Sequence, residues 1–358
     1  MKLEGLDALD IRILENLYET TNISEIARRV GASDETVRRR VQKLYRYGRI
    51  SVEPDYFAMG LSYAAYIADW PSNNSVLKLL EECYLKSITR LITPTGRKVF
   101  ITLIPPLHLE NVMQAIVETL LGPGTFIPLT NPVKWRPSCL MFNEEKKELV
   151  FPWDEIPKML LKGNVTLRFQ GNCRQTVIDP IDLAILEELQ TDAFTPLTKV
   201  AKERGIYQQK LWYHYTKHVK PLIRFNNVNM ALVPSNKVPS MLHKISFINH
   251  EVLHKFIGVN ILNPFFVVTL PFRYSPEAFV ITRLPSDQML YFIKVLSELS
   301  ENGLVKSYEW LGIVDPSYLR AYTIPSADLL VNGRWIIKKS VMEKVLPKAV
   351  VKIRRINK

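Results

Sequence analysis

Cysteine is scarce: Cys83, Cys139 and Cys173 are the three in 358 residues, and no two are spaced as Cys-x-x-Cys. The spacing argues against a disulfide framework or a thiolate metal site and points to a reducing compartment. Long apolar runs are missing too. No stretch approaches the roughly 18 residues of a membrane span, and the opening "MKLEGLDALD" has no apolar signal core. No Gly-x-Gly-x-x-Gly, Walker loop or Ser-His-Asp spacing is present, which removes the usual marks of dinucleotide, nucleotide and acyl-transfer sites. Acid is in deficit: 35 Asp and Glu stand against 47 Lys and Arg, a formal charge of +12. Such an excess favours polyanionic partners, nucleic acid first. The expectation is a cytoplasmic, nucleoid-associated protein that uses no cofactor and no membrane.

What is present is a 47% hydrophobic content, enough to bury a core in two or three domains, and an internal repeat. "LDALDIRILENL" (residues 6–17) and "IDPIDLAILEEL" (178–189) carry the same residue at half of their positions. Ala27 pairs with Ala201 and Gly31 with Gly205 at an offset of 174, "VFITLIPP" with "FVITRLPS" at 180, and Trp153 with Trp335 at 182. Offsets that rise steadily are what small loop insertions in a full-length duplication produce.

Each half opens with an apolar helical stripe, Leu9, Ile13, Leu14 and Leu17 in the first and Ile181, Ile185, Leu186 and Leu189 in the second. Asp7 and Asp179 stand where a carboxylate caps the helix; no catalytic partner lies near either in sequence. A short helix over 24–30, capped by Ser24, then the Gly31 turn and a third helix from the Ser33 cap to about Tyr47 spell a helix-turn-helix. Its expected core is Ile26, Ala27, Val30, Val37, Val41 and Leu44, leaving Asp34, Glu35, Arg38, Arg39, Gln42 and Lys43 outward.

The pattern then changes to strand 61–68, helix 74–84, strands 87–93 and 99–104, helix 109–121 and strand 125–133. The second half follows with strand 242–249, a poorly defined helix near 250–259, strands 265–272 and 278–284, helix 286–301 and strand 304–311. The expected class is α+β: two repeats, each a winged-helix or helix-turn-helix unit followed by a ferredoxin-like βαββαβ domain. The sheet of that domain would keep one face free to pack on a second copy. Boundaries are expected at 1–55 and 56–135 for the first pair of domains, 136–176 for an appended segment and linker, 177–235 and 236–315 for the second pair, and 316–358 for a basic extension. Trp153 and Trp335, one after each domain, are expected in the core. In the extension, nine basic residues from Arg334 to Lys358 face one acid, Glu343, which reads equally as a phosphate-tracking arm or an amphipathic end.

These residues resemble the leucine-responsive and asparagine-synthesis regulator family (Lrp/AsnC). The pattern L-D-x-x-D-x-x-I-L-x-x-L is met from Leu6 to Leu17. The next stretch is met by Ile23-Ser24, Ile26-Ala27 and Val30-Gly31-Ala32-Ser33, and V-x-x-R-V-x-x-L by Val37, Arg40-Val41 and Leu44. The resemblance is strong for about fifty residues and weaker to Thr130. It implies a DNA-binding transcription regulator with a small-molecule sensing domain through which subunits dimerise. Two copies in one chain look like that dimer fused into a single polypeptide, which a homodimer of fused chains could extend. An amino-acid-like effector is implied, though no residue identifies it.

Under this reading Ser33, Glu35, Thr36, Arg38 and Arg39 approach base edges of double-stranded DNA, with Arg40, Lys43 and Arg46 nearer phosphates or the fold. The second copy replaces Arg38-Arg39-Arg40 with Trp212-Tyr213-His214 and the Ser33 cap with Tyr207, yet stays basic. Either Tyr207, Gln208, Gln209, Lys210, Trp212, Tyr213 and Lys217 meet a different half-site, or Trp212 and Tyr213 fill a protein contact; DNA contact is the favoured reading. An architectural DNA-binding protein is the main alternative.

Two enzyme readings are weighed against it. "HEVLH" (250–254) matches His-Glu-x-x-His, but Ile257 and Asn260 stand where the metzincin continuation needs Gly and His, and Glu277 is the one acid near gluzincin distance. Siroheme decarboxylases resemble this paired architecture, yet "YLKSITRLI" and "GVNILNPFFVVTL", where their histidines are expected, contain none.

Overall fold

The computed structural model describes residues 5–71, 75–162, 176–230 and 237–345. Part of the expected linker, Cys173 included, and the last part of the basic extension lie outside the described residues.

The chain opens with α1 (Ala8–Leu17), α2 (Ile23–Val30) and α3 (Asp34–Leu44). Asp7 and Asp10 form a capping box on α1: each backbone N–H donates to the other's carboxylate, at 3.1 and 3.0 Å. The cap of α2 is Asn22, not Ser24; Asn22 accepts from the Glu25 N–H at 3.2 Å, while Ser24 lies inside the helix and hydrogen-bonds Asp34. Ser33 caps α3 as expected, but the helix stops at Leu44, three residues before the anticipated end. Ile26, Ala27, Val30, Val37, Val41 and Leu44 are all buried.

Strand β1 (Gly48–Pro54) leads into β2 (Tyr63–Asp69), α4 (Ser75–Glu81), β3 (Leu85–Thr93), β4 (Gly96–Leu103), α5 (Glu110–Leu121) and β5 (Gly124–Leu129). The expected strand 125–133 breaks after Leu129 and resumes as β6 (Val133–Lys134), which pairs with a strand from the other end of the chain. A hairpin of β7 (Phe142–Asn143) and β8 (Glu148–Leu149) precedes α6 (Ile156–Lys162).

Next come α7 (Pro180–Thr191), α8 (Leu197–Arg204) and α9 (Gln208–His214), the last widening into a π-helical turn at Tyr215–Val219 before β9 (Ile223–Met230). They are followed by β10 (Met241–Phe247), α10 (His250–Asn260), β11 (Phe266–Pro271), β12 (Glu277–Thr282), α11 (Ser286–Glu301) and β13 (Val305–Val314). Short strands β14 (Arg320–Ala321), β15 (Leu330–Val331) and β16 (Arg334–Trp335) close the described chain.

Two long-range pairings join these elements. β1 runs antiparallel to β9, Gly48 opposite Met230 and Val52 opposite Asn226; a side chain at Gly48 would sit 2.0 Å from the Asn229 carbonyl oxygen, so only glycine allows this approach. β3 meets β13 at Ile92–Ile313 and Leu91–Val314, giving one sheet in the order β5-β2-β4-β3-β13-β10-β12-β11-β6 with β14 beside β3. A bridge between Leu129 and Phe272 draws the two ends of that order together. The face expected to receive a second copy is therefore covered within the chain: Phe100 on β4 meets Phe279 on β12 edge to face, ring centres 5.4 Å apart.

The two tryptophans are core residues, and they cross over. Trp153 packs among Phe265, Phe266 and Phe292 and donates from Nε1 to Gln288 at 2.8 Å. Trp335 packs on Tyr84 and donates to the Met59 carbonyl at 2.8 Å. Each appended segment thus closes the core of the βαββαβ unit it does not directly follow.

Candidate nucleic-acid interface

α3 separates its polar residues into two sets. Ser33, Glu35, Arg38 and Arg39 are exposed and Thr36 half-buried, with Ser33 and Thr36 linked at the cap by a 2.9 Å hydroxyl–hydroxyl hydrogen bond. Arg40 and Lys43, expected nearer phosphates or the fold, are committed to the fold. The Arg40 guanidinium donates to Asp7 at 2.6 Å and to Asp10 at 3.1 Å, and Lys43 reaches Asp10 at 2.6 Å. Asp10 is fully buried, so these two cations are what make its ionised carboxylate tolerable there. Burial tends to raise the Asp7 carboxyl, but the Asp10 backbone N–H and Arg40 outweigh it and leave its pKa lowered. What remains free to face a groove is the first two turns of α3 with Gln42 and Arg46.

α9 presents a different surface. Tyr207 is 87% exposed, Trp212 58% and Tyr213 55%, and Gln208, Gln209, Lys210 and Lys217 are exposed beside them. Trp212 contacts Tyr215, and Tyr213 contacts His214 and His218, each along its own helix, leaving more than half of both side chains exposed. His214 takes the place of Arg40: its Nδ1 lies 2.9 Å from Asp182, which is as fully buried as Asp10. His218, one residue beyond Lys217 because of the π-helical turn, lies 3.2 Å from the other oxygen of Asp182. Sequence reading missed this cluster, although the 174-residue offset that aligns Ala27 with Ala201 also aligns Arg40 with His214.

α3 and α9 are held in fixed relation. Beyond the β1–β9 ribbon, Tyr45 just after α3 donates to Asp192 just after α7 at 2.6 Å, the Ala193 N–H donates to the Ile50 carbonyl at 2.9 Å, and Tyr18 stacks on Phe225 at 4.8 Å.

Residues 6–45 match the AsnC-type helix-turn-helix domain. This match supports DNA binding by the first unit. No curated protein matches the chain's sequence. Among solved structures the chain is similar to the siroheme decarboxylase NirDL, at 10% identity and a TM-score of 0.51, over 97% of this chain and all of that one. The same enzyme in co-complex with an iron-uroporphyrin III analogue matches at 11% identity, a TM-score of 0.52 and the same coverage. At such identities the likeness concerns the fold.

Between the sheet faces lies a cavity of about 220 Å³ whose polar lining includes Tyr63, Lys86, Thr102, Lys134, Ser240 and Arg283, with no His, Cys, Asp or Glu among the described residues that line it. Burial pulls Lys86 down to about 8 despite the opposing pull of Glu53, and its ammonium donates to the Tyr322 carbonyl at 2.7 Å. His243, buried on β10, has both ring nitrogens engaged, by Tyr308 and Thr282 at 2.9 Å each, and burial lowers its pKa to about 4. The His250 and His254 rings stand 6.2 Å apart on α10, but among the described residues no third ligand group joins them: Glu251 pairs with Lys255, and Glu277 with Lys244 and Ser246. Among the described residues, no helix is long and apolar enough to cross a membrane.

Proposed function

We propose that the chain is a sequence-specific double-stranded DNA-binding transcription regulator, an intramolecular pseudo-dimer of two Lrp/AsnC-like halves. The observation that carries this reading is the division of labour on α3: Arg40 and Lys43 secure the helix to buried Asp10, while Ser33, Glu35, Arg38 and Arg39 are left exposed on its leading turns. Arg38 and Arg39 suit guanine edges or phosphates, and Gln208 and Gln209 at the start of α9 suit adenine. Because the two helices differ and are joined by β1–β9, the preferred site is asymmetric, with two unlike half-sites at fixed spacing.

One fold carries both regulators and enzymes, so the choice rests on the sites. The cavity between the sheets is lined by the cations Lys86, Lys134 and Arg283, which supports binding of a small carboxylate-bearing effector. Selection of the full-length protein against randomised duplexes tests the reading. Enrichment of one motif supports it. Strongly salt-dependent binding without a motif supports the architectural alternative. Loss of carboxyl groups from an added iron-tetrapyrrole carboxylate would replace the regulator by an enzyme.

A further inference from the structure

The two helix-turn-helix units neutralise their buried carboxylate in different ways. Asp10 has a guanidinium and an ammonium, both permanently charged at neutral pH; Asp182 has two imidazoles, which are not. A fully buried carboxylate facing neutral rings lacks a compensating cation. The replacement is also geometric. His214 and His218 are one turn apart and both direct Nδ1 at Asp182, at 2.9 and 3.2 Å, and the π-helical turn puts His218, not Lys217, in that position.

We infer that Asp182, His214 and His218 form a binding site for a zinc-class divalent transition metal that fastens α9 to α7. Their ligand atoms all lie within 4.8 Å of one another. A tetrahedral zinc with bonds near 2.0 to 2.2 Å has ligand-to-ligand edges of about 3.4 Å; the 2.9 and 3.2 Å separations approach that length but run to different oxygens of Asp182, so the carboxylate turns to offer one oxygen to the ion. Asp179 borders the cluster, its Oδ1 3.6 Å from His214 Nδ1 while it caps α7 by accepting from the Ile181 and Asp182 backbone N–H groups, and with its side chain 43% exposed the fourth position is left to water. That exposure and the part-open His218 give the ion a way in. Tyr213 packs beside the cluster, its ring 5.9 Å from His214 and 5.7 Å from His218. Binding requires an ionised Asp182 and neutral imidazoles in the Nε2–H tautomer, so that the Nδ1 proton now directed at Asp182 gives way to a lone pair. The site does not depend on the DNA-binding reading; a metal there would make the placement of α9, but not of α3, metal-dependent.

The test uses full-length protein freed of metal by a chelator and titrated with Zn²⁺ in competition with a chromogenic chelator, alongside Co²⁺ as a spectroscopic probe. The expected result is one tightly held equivalent with a four-coordinate cobalt spectrum. His218→Gln should weaken it by roughly tenfold or more, since even outer-sphere partners have effects that large, while His250→Gln leaves it unchanged. His218→Gln should unfold at the same temperature as the chelator-treated wild type, which separates lost metal from lost folding. Absence of stoichiometric metal, or metal lost with His250→Gln and kept by His218→Gln, overturns the assignment. So does wild-type stability that varies with pH but not with added Zn²⁺, since hydrogen bonds alone then account for the cluster.

Discussion

The Tyr45 hydroxyl donates to the Asp192 carboxylate at 2.6 Å across 147 residues of sequence, joining the end of α3 to the end of α7. Burial and the carboxylate together raise the Tyr45 pKa, so the proton stays on the phenol. Tyr45→Phe should cost about 1.5 to 3 kcal/mol, the usual worth of a hydrogen bond to a charged group. A double-mutant cycle with Asp192→Asn, read by urea unfolding, should show a coupling above about 0.5 kcal/mol. Strict additivity would mean the contact does not tie the units together.

Arg39 and Arg40 are neighbours with opposite duties. Arg39→Ala should leave unfolding unchanged and weaken specific DNA binding by about 1 to 3 kcal/mol if it meets a guanine, or less and uniformly across sequences if it meets phosphate. Arg40→Ala should destabilise the first unit by about 3 kcal/mol, because Asp10 stays buried with one cation fewer. Thermal unfolding and gel-shift titration of both variants separate the two roles; equal stability would return Arg40 to the interface.

On α9, Lys210 and Trp212 report whether the second unit touches DNA. Lys210→Ala should reduce the slope of log affinity against log salt by about 0.9 if it neutralises one phosphate. Trp212→Ala should weaken binding without lowering stability, since the side chain is 58% exposed. Wild-type affinity and salt slope in both variants would assign the exposed aromatics to a protein contact.

His243 makes stability pH-dependent. Burial holds its folded pKa near 4, below the unfolded value near 6.5. Between those values the unfolded chain binds the extra proton, so stability falls as pH drops through this window and levels off below it. The loss is on the order of 3 kcal/mol. His243→Gln should flatten that part of a urea-midpoint-against-pH curve; an unchanged curve would show that His243 is not the group responsible.

Local elements were readable because periodicity and caps are local. The stripe Leu9, Ile13, Leu14, Leu17 and the Ser33 cap placed α1 and α3, and the full extent of α11 followed from its pattern. Ser24 and Asn22 are both good cap residues and only the backbone distinguishes them, so the cap at Asn22 was not legible. The β1–β9 and β3–β13 pairings were not legible, since edge strands carry no mark of a partner far along the chain. At the interface, exposure of Arg38 and Arg39 followed from helical spacing. The diversion of Arg40 and Lys43 to Asp10 did not, because it depends on how α1 crosses α3. His214 and His218 were invisible as a cluster for the same reason: Asp182 is 32 residues away, and the π-helical turn shifts the register by one.

Footprinting of the purified full-length protein on genomic DNA tests the central claim most directly. The account predicts discrete protected sites composed of two unlike half-sites at constant spacing, lost with Arg39→Ala and retained, at temperatures where the variant is folded, with Arg40→Ala. Uniform, salt-sensitive protection with no shared sequence would contradict it.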